Sequence, residues 1–229
     1  MAYKAPYHIG IIMDGNRRWA RKRGLPTLQG HQRGYNKIKK VGDWCLKRGV
    51  KILSVYAFST ENWNRSKKEV GYLMRLLHSA IENDTQEMHE KGIRMMFSGR
   101  LKDLQENIQQ AINRAVELTK NNTNGILNIC INYGGRAEIV DAVKKIVKMK
   151  KSSAQITENL IDNNLYSPSL PDPDIVIRTS GEQRLSGYLT WESVYSELYF
   201  IKKPWPAFTE KDLDEVLTDY ENRHRRFGH

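Results

Sequence analysis

Strand-like and helix-like patterns alternate along this chain from end to end, and nothing else in it constrains the fold as tightly. Ile9 to Met13 is a short apolar run that reads as a strand, followed by a basic helix. Residues 30–48 place Tyr35, Ile38, Val41 and Cys45 at helical spacing. Lys51 to Phe58 is a β-branched and aromatic run, and residues 67–90 put Val70, Leu73, Leu77, Ala80, Ile81 and Met88 on one helix face. Ile93 to Phe97, Ile126 to Ile131, Asp174 to Arg178 and Leu198 to Ile201 read as further strands. Helices marked by Leu104 to Leu118 and by Ile139 to Ile146 lie between them, and a last one opens at the Thr209–Asp212 capping box. Strands separated by helices of this length imply parallel βαβ units with right-handed crossovers and a sheet covered on both faces. With no repeat, low-complexity tract or convincing linker, the expectation is a single α/β domain over residues 1–229, with a mostly parallel central sheet flanked by helices.

In such a sheet, ligands gather beyond the carboxyl ends of the strands. Three strands end in polar clusters: Asp14-Gly15-Asn16-Arg17-Arg18, then Ser59-Thr60-Glu61-Asn62-Trp63-Asn64-Arg65, then Arg178 to Ser186. Asp14 is placed to hold a divalent cation against a phosphate. Arg17 and Arg18 add positive charge beside the first turn of a helix, where unpaired amides favour anions. Arg178 and Arg184 flank a glycine-containing turn, so their guanidinium groups are expected to converge on one phosphate, with Ser186 donating a further bond. Any one of these clusters also reads as a capped loop with surface ion pairs; three at one sheet edge point to a diphosphate.

The chain carries 37 basic against 26 acidic residues, a net charge of +11, which suits an anionic partner without choosing among nucleic acid, lipid headgroups and phosphorylated small molecules. Zinc-finger spacing, a basic zipper and an RNP-like strand are missing, which argues against nucleic acid. Gly-x-Gly-x-x-Gly, P-loop and Gly-x-Ser-x-Gly patterns are missing too, which argues against dinucleotide, Walker-type and hydrolase sites. No run approaches the roughly 20 apolar residues of a membrane span. The first residues do not read as a signal peptide, and Cys45 and Cys130 read as buried thiols of a cytoplasmic protein.

His8 to Ala20, Gly30-His31, Tyr56 to Arg65, Asn132-Tyr133-Gly134-Gly135-Arg136 and Arg178 to Phe200 together resemble the cis-prenyltransferases of the undecaprenyl diphosphate synthase family over nearly the whole length. The resemblance implies a homodimer with a hydrophobic tunnel between helices and sheet. It also implies an Mg²⁺-dependent elongation of an allylic diphosphate, such as farnesyl diphosphate, by isopentenyl diphosphate, each new double bond being cis and the product a polyprenyl diphosphate lipid-carrier precursor. Like that family, the chain lacks Asp-Asp-x-x-Asp. Peripheral contact with the inner face of the membrane at product release is part of the same expectation.

Carried over residue by residue, the resemblance makes Asp14 the essential carboxylate near Mg²⁺, with Glu197 the second metal-associated one. Gly15, Asn16, Arg17, Arg18, Trp19 and His31 would surround the allylic diphosphate. Asn62, with Ser59, Thr60 and Glu61 nearby, would assist proton loss or position the reacting groups, and Trp63 and Arg65 would border the substrate. Arg178, Arg184, Leu185 and Ser186 would hold isopentenyl diphosphate, aided by an Arg226-Phe227-Gly228 tail crossing to the partner's site. The chain departs from the family at Thr27, where a phosphate-binding arginine is usual and Arg21 or Arg23 would have to substitute. It departs also at Ser66 and Gly187, where proline and asparagine are usual. Leu73, Leu76, Leu77, Ile81, Met88, Met95, Phe97 and Leu127 are candidate tunnel residues that pattern alone would call core. A non-catalytic subunit of a heteromeric prenyltransferase is the alternative from the same fold, and a basic nucleic-acid-binding protein the alternative from another class.

Overall fold

A computed structural model describes residues 5–223. Six strands form one sheet in the order β3-β4-β2-β1-β5-β6: β1 His8–Ile12, β2 Ile52–Ser59, β3 Ile93–Ser98, β4 Gly125–Tyr133, β5 Ile175–Thr179 and β6 Glu197–Ile201. All five strand pairings are parallel. The expected mostly parallel sheet is therefore wholly so among the described residues, as right-handed crossovers through helices require.

The helices are α1 Asn16–Arg21, α2 Thr27–Lys47, α3 Lys67–Glu90, α4 Glu106–Thr119, α5 Gly135–Lys148, α6 Glu158–Asp162 and α7 Glu210–Asn222. Strand alternation divides their work. Ile9 and Ile11 of β1 face one layer with Val41 and Cys45 of α2 and Leu213, Val216 and Leu217 of α7. Met74, Ile81 and Met88 of α3 pack with Ile108, Ala111 and Ala115 of α4 and with Ile93 and Met95 of β3. On the opposite face, Ile12, Cys130, Tyr133 and Val176 meet Tyr188 and Leu189. Gly10 lacks a side chain because a Cβ there would stand 3.2 Å from the Tyr188 ring and 3.3 Å from Leu189.

Most expected elements appear within a few residues of their sequence bounds. The second helix starts earlier, at Thr27, behind Pro26, and the fourth begins at Glu106 rather than Leu104. The short α6, capped by the Thr157 hydroxyl accepting from Leu160 N–H, was not foreseen; it carries no buried residue and so no apolar stripe to detect. Chain order leaves β1 toward β2 on one side of the sheet, whereas β5 continues to β6 on the other. The crevice between β1 and β5 is thus the topological switch point where such sheets bind ligands.

Candidate active site

β2, β1 and β5 are adjacent, so the three polar clusters that follow them share one rim. At the switch point Asp14 follows β1 and Arg178 ends β5, with Arg178 Nη2 donating to Asp14 Oδ2 at 3.0 Å. The same oxygen accepts from Arg18 Nη2 at 3.2 Å, while Oδ1 accepts the Gly15 N–H at 2.6 Å. Gly15 adopts φ +95°, and a Cβ there would stand 2.5 Å from Ser180 Oγ, so this turn needs glycine. Asp14 is a carboxylate held between two guanidinium groups at the mouth of a crevice.

A cavity of about 1000 Å³ opens over this rim. Asp14, Gly15, Asn16, Arg17, Arg18, His31, Ser59, Thr60, Glu61, Asn62, Arg65, Arg178 and Ser186 line it, which brings together most of the residues singled out from the sequence. Glu69, which the sequence reading passed over, organises one wall. It accepts from His31 Nε2 at 3.2 Å and Arg65 Nη1 at 3.1 Å, with Arg17 Nη1 at 3.7 Å. Burial, then the charge of Arg65, lowers the His31 pKa against the opposing pull of Glu69, favouring a neutral imidazole at pH 7. Asn62 Oδ1 accepts the Ser59 N–H at 3.2 Å, closing the capping box of the 3₁₀ turn Thr60–Asn64. With its Oδ1 engaged, the Asn62 amide NH₂ is the part of the side chain that can donate to a group in the cavity.

Five of the expected residues lie off the cavity lining. Glu197 begins β6, level with Ile175 and hence with Ile9, while Asp14 lies five residues further along, roughly 16 Å up the sheet. Its carboxylate pairs with Arg223, so within one chain it is not part of the Asp14 site. Arg184 does not converge with Arg178. Its guanidinium pairs with Glu182 at 2.6 Å outside the cavity lining, while its carbonyl accepts from Arg178 and Ser186 Oγ accepts from the same guanidinium at 2.8 Å. Leu185 packs against the apolar cluster of Ile12 and Tyr188. Trp19 stacks under the Arg23 guanidinium at 4.5 Å, and Trp63 donates Nε1–H to Asn132 Oδ1 at 2.7 Å; neither ring lines the cavity. Arg18, Asn62 and Ser186, chain neighbours of Trp19, Trp63 and Leu185, line the crevice in their place.

The departures also find their places. Arg21 lines the cavity whereas Arg23 is committed to Trp19, so Arg21 is the neighbour available where Thr27 lacks a cation. Ser66 replaces proline as the N-cap of α3, accepting from Glu69 N–H at 3.3 Å. Gly187 takes φ +75°, and its carbonyl receives the Gly135 N–H at 2.7 Å, pinning the Ser186 turn to the start of α5. Arg100 and Arg136, beyond β3 and β4, also line the cavity. Their strand-end position was the signal that could have found them. The Arg226-Phe227-Gly228 tail lies outside the described residues.

The donor set bears on the expected metal. Among the described residues no group of three His, Cys, Asp or Glu side chains could cage an ion. Mg²⁺ is commonly held by one or two carboxylates with phosphate oxygens and waters, which one carboxylate beside a phosphate-sized basic crevice fits. Beneath the crevice, an apolar cavity of about 170 Å³ continues between α2, α3 and the sheet, sharing Met13, Asn16, His31, Ala57 and Leu73 with the larger one. Leu76, Leu77, Ile81, Met88, Met95 and Leu127 line it with Leu73, as expected of a tunnel, while Phe97 packs in the core beside it.

The undecaprenyl diphosphate synthase family model, Prenyltransf, matches residues 12–228. An isoprenyl transferase of Fusobacterium nucleatum is 49% identical over 228 residues, covering 100% of this chain and 98% of the relative. The ditrans,polycis-undecaprenyl-diphosphate synthase ((2E,6E)-farnesyl-diphosphate specific) of Micrococcus luteus is 43% identical, covering 99% and 93%. The crystal structure of lavandulyl diphosphate synthase from Lavandula x intermedia, in complex with dimethylallyl diphosphate, superposes with a TM-score of 0.94 at 36% identity, covering 98% and 99%.

Proposed function

The chain belongs to the undecaprenyl diphosphate synthase family of cis-prenyltransferases, and from that premise we propose that it condenses isopentenyl diphosphate onto an allylic diphosphate to build a Z-polyprenyl diphosphate. The observation that carries this reading is the continuity of two unlike cavities. A basic crevice suited to diphosphates adjoins, across Met13, Asn16, His31, Ala57 and Leu73, an apolar one suited to a hydrocarbon tail. A nucleic-acid site has no use for such a buried apolar extension. A non-catalytic subunit has no use for the intact Asp14, Asn62 and Arg178 constellation.

In the proposed reaction the isopentenyl double bond attacks the allylic carbon, the carbon–oxygen bond breaks, and diphosphate departs with the bonding pair. A proton then passes from the added unit to the released diphosphate, and the C–H bonding pair forms the new double bond. Arg17, Arg18, Arg21 and Arg65 face the departing diphosphate and stabilise its growing charge without reorganising. Arg178 and Ser186 hold the isopentenyl diphosphate, and the Asn62 amide orients the reacting groups. His31 acts as a neutral hydrogen-bonding group fixed by Glu69. Asp14 would hold Mg²⁺ against phosphate oxygens, and the ion would supply further positive charge to the leaving group.

The chain is proposed to work as a homodimer. Val140, Val143 and Val147 form an exposed apolar row on α5, and Val194 and Tyr195 are about 70% and 68% exposed. Glu197 neighbours the latter pair in sequence, so it would meet a metal only if a partner subunit presented it. No helix among the described residues is long and apolar enough to cross a membrane. A cytoplasmic enzyme meeting the membrane peripherally at product release accords with the two buried free thiols.

The test is incubation of the purified protein with Mg²⁺, labelled isopentenyl diphosphate and each of three allylic primers, followed by mass spectrometry of the lipid products. Primer-dependent polyprenyl diphosphates with cis units are expected. No incorporation with any primer would overturn the reading.

A further inference from the structure

The turn that carries Asn62 leaves β2 where the sheet loses its regular register. Against β4, Tyr56 is level with Cys130, Phe58 with Ile131 and Ser59 with Tyr133. Ala57 is therefore an extra residue in β2, and Asn132 an extra residue in β4. Such bulges interrupt the ladder and re-aim a side chain. Asn132 takes φ +49°, in the left-handed region that asparagine tolerates better than most residues. It is only 3% exposed, so its side-chain amide needs partners within the protein.

Both ends of that amide are occupied. Oδ1 accepts Trp63 Nε1–H at 2.7 Å, and Nδ2 donates to the Arg100 carbonyl at 3.0 Å. The Asn132 carbonyl in turn accepts the Arg100 N–H at 3.1 Å. β2 and β3 are the two neighbours of β4, so the segments that follow both of them are fastened to one residue. The approach is close, because a Cβ on Gly99 would overlap the Ile131 carbonyl.

Trp63 is the link to the reacting groups. Its ring meets Phe58 edge-on at 5.1 Å, and its single donor is spent on Asn132. The preceding residue, Asn62, accepts the Ser59 N–H at 3.2 Å, a bond that fixes Asn62 within its turn but not the turn against the sheet. The Trp63–Asn132 bond joins the turn to the sheet and so sets the direction of the Asn62 amide in the cavity. We propose that Asn132 is a positioning residue for the condensation, aiming Asn62 at the reacting groups through the Trp63 indole. This rests on the polyprenyl-synthesis reading. Asn132 itself lies off the cavity lining, so it acts only through its neighbours.

The experiment measures the single-turnover rate of the first condensation, the primer Kd and Tm for wild type, Asn132→Gly, Trp63→Phe and the double variant. Glycine keeps the positive φ and removes both amide bonds, while phenylalanine keeps a ring beside Phe58 and removes the donor. Each single variant is expected to slow the condensation by roughly ten- to a hundredfold, the scale of a small misplacement of a reacting group. Primer affinity should hold, because Arg17, Arg18 and Arg21 sit on α1, away from the turn. The double variant should be no slower than the slower single one, since both changes remove the same bond. In an Asn62→Ala background, Asn132→Gly should slow the reaction no further. A merely structural role would lower Tm and leave the rate alone. Should Asn132→Gly fail to fold, Trp63→Phe leaves the bulge intact and carries the same expected loss. Folded single variants with rates within about threefold of wild type, or losses that multiply in the double variant, overturn the inference. A wild-type protein that forms no product with any primer overturns the underlying reading, and this inference with it.

Discussion

Arg178 distinguishes a substrate-binding site from a structural ion pair, and Arg178→Met is the perturbation that separates them. Its side chain is only 6% exposed. It donates to Asp14 at 3.0 Å, to Ser186 at 2.8 Å and to the Arg184 carbonyl, while its Nε has no hydrogen-bond partner. Methionine nearly conserves the volume and removes a buried charge whose desolvation is poorly compensated. Asp14 keeps the Gly15 N–H at 2.6 Å and Arg18 at 3.2 Å, so it is not stranded. Replacement of a buried charge by an apolar group of similar size is often close to neutral, so folding stability should change by no more than about 1–2 kcal/mol. A diphosphate that loses a charge-assisted bond to this guanidinium loses about 1.5–3 kcal/mol, or roughly ten- to a hundredfold in kcat/KM for isopentenyl diphosphate. Urea denaturation and steady-state kinetics on the same preparation read both quantities. A variant destabilised by about 3–5 kcal/mol with unaltered kcat/KM would refute the reasoning and make Arg178 a strut.

Burial, with the Glu138 carboxyl beside it, pushes Glu192 from the ordinary 4.5 up to about 8. A raised carboxyl pKa contributes stability that is complete below 4.5 and is lost as pH rises through about 8. Wild-type Tm should therefore fall across that window, and Glu192→Gln should flatten the fall; parallel Tm–pH curves would contradict this. Gly15→Ala, forced into φ +95° with its Cβ 2.8 Å from Pro204 Cβ, should cost about 1–3 kcal/mol and reduce activity by displacing Asp14, as thermal melts and turnover assays would show. Arg21→Ala should raise KM for the allylic primer by roughly tenfold, whereas Arg23→Ala should leave it unchanged; equal effects would reject Arg21 as the cation standing in at Thr27.

The strands were legible because each is a short apolar run bounded by glycine, proline or charge, and β1 to β6 emerged within a residue or two. A parallel arrangement of those strands by itself places Asp14, Asn62 and Arg178 on one rim. Glu197 shows where motif matching outran geometry. It sits in the same stretch of sequence as Arg178 but begins a strand instead of ending one, which in a parallel sheet assigns it to the opposite rim. Arg184 and Trp63 lie off the cavity lining for another reason. Their side chains face away through pairing with Glu182 and Asn132, a rotamer-level choice that one sequence does not encode. Glu69 was hidden because its partners His31, Arg65 and Arg17 come from different helices and loops, so only tertiary packing assembles them. The tunnel residues had a core-like pattern, and only the cavity between α2, α3 and the sheet separates lining Leu73 from packed Phe97.

The charge of Asp14 is the central claim, and Asp14→Asn tests it with the least change in shape. An asparagine oxygen can still accept the Gly15 N–H, while the negative charge shared by Arg18 and Arg178 is gone. The measurement is the single-turnover rate of product formation at saturating primer, isopentenyl diphosphate and Mg²⁺, with primer binding measured separately. The account predicts a rate lower by roughly a hundred- to a thousandfold, the scale of losing one preorganised electrostatic partner, with the primer still bound and a folded protein whose melting temperature falls because Arg178 loses its counter-charge. A rate within about threefold of wild type would contradict it, since an effect that small is under 1 kcal/mol of transition-state stabilisation.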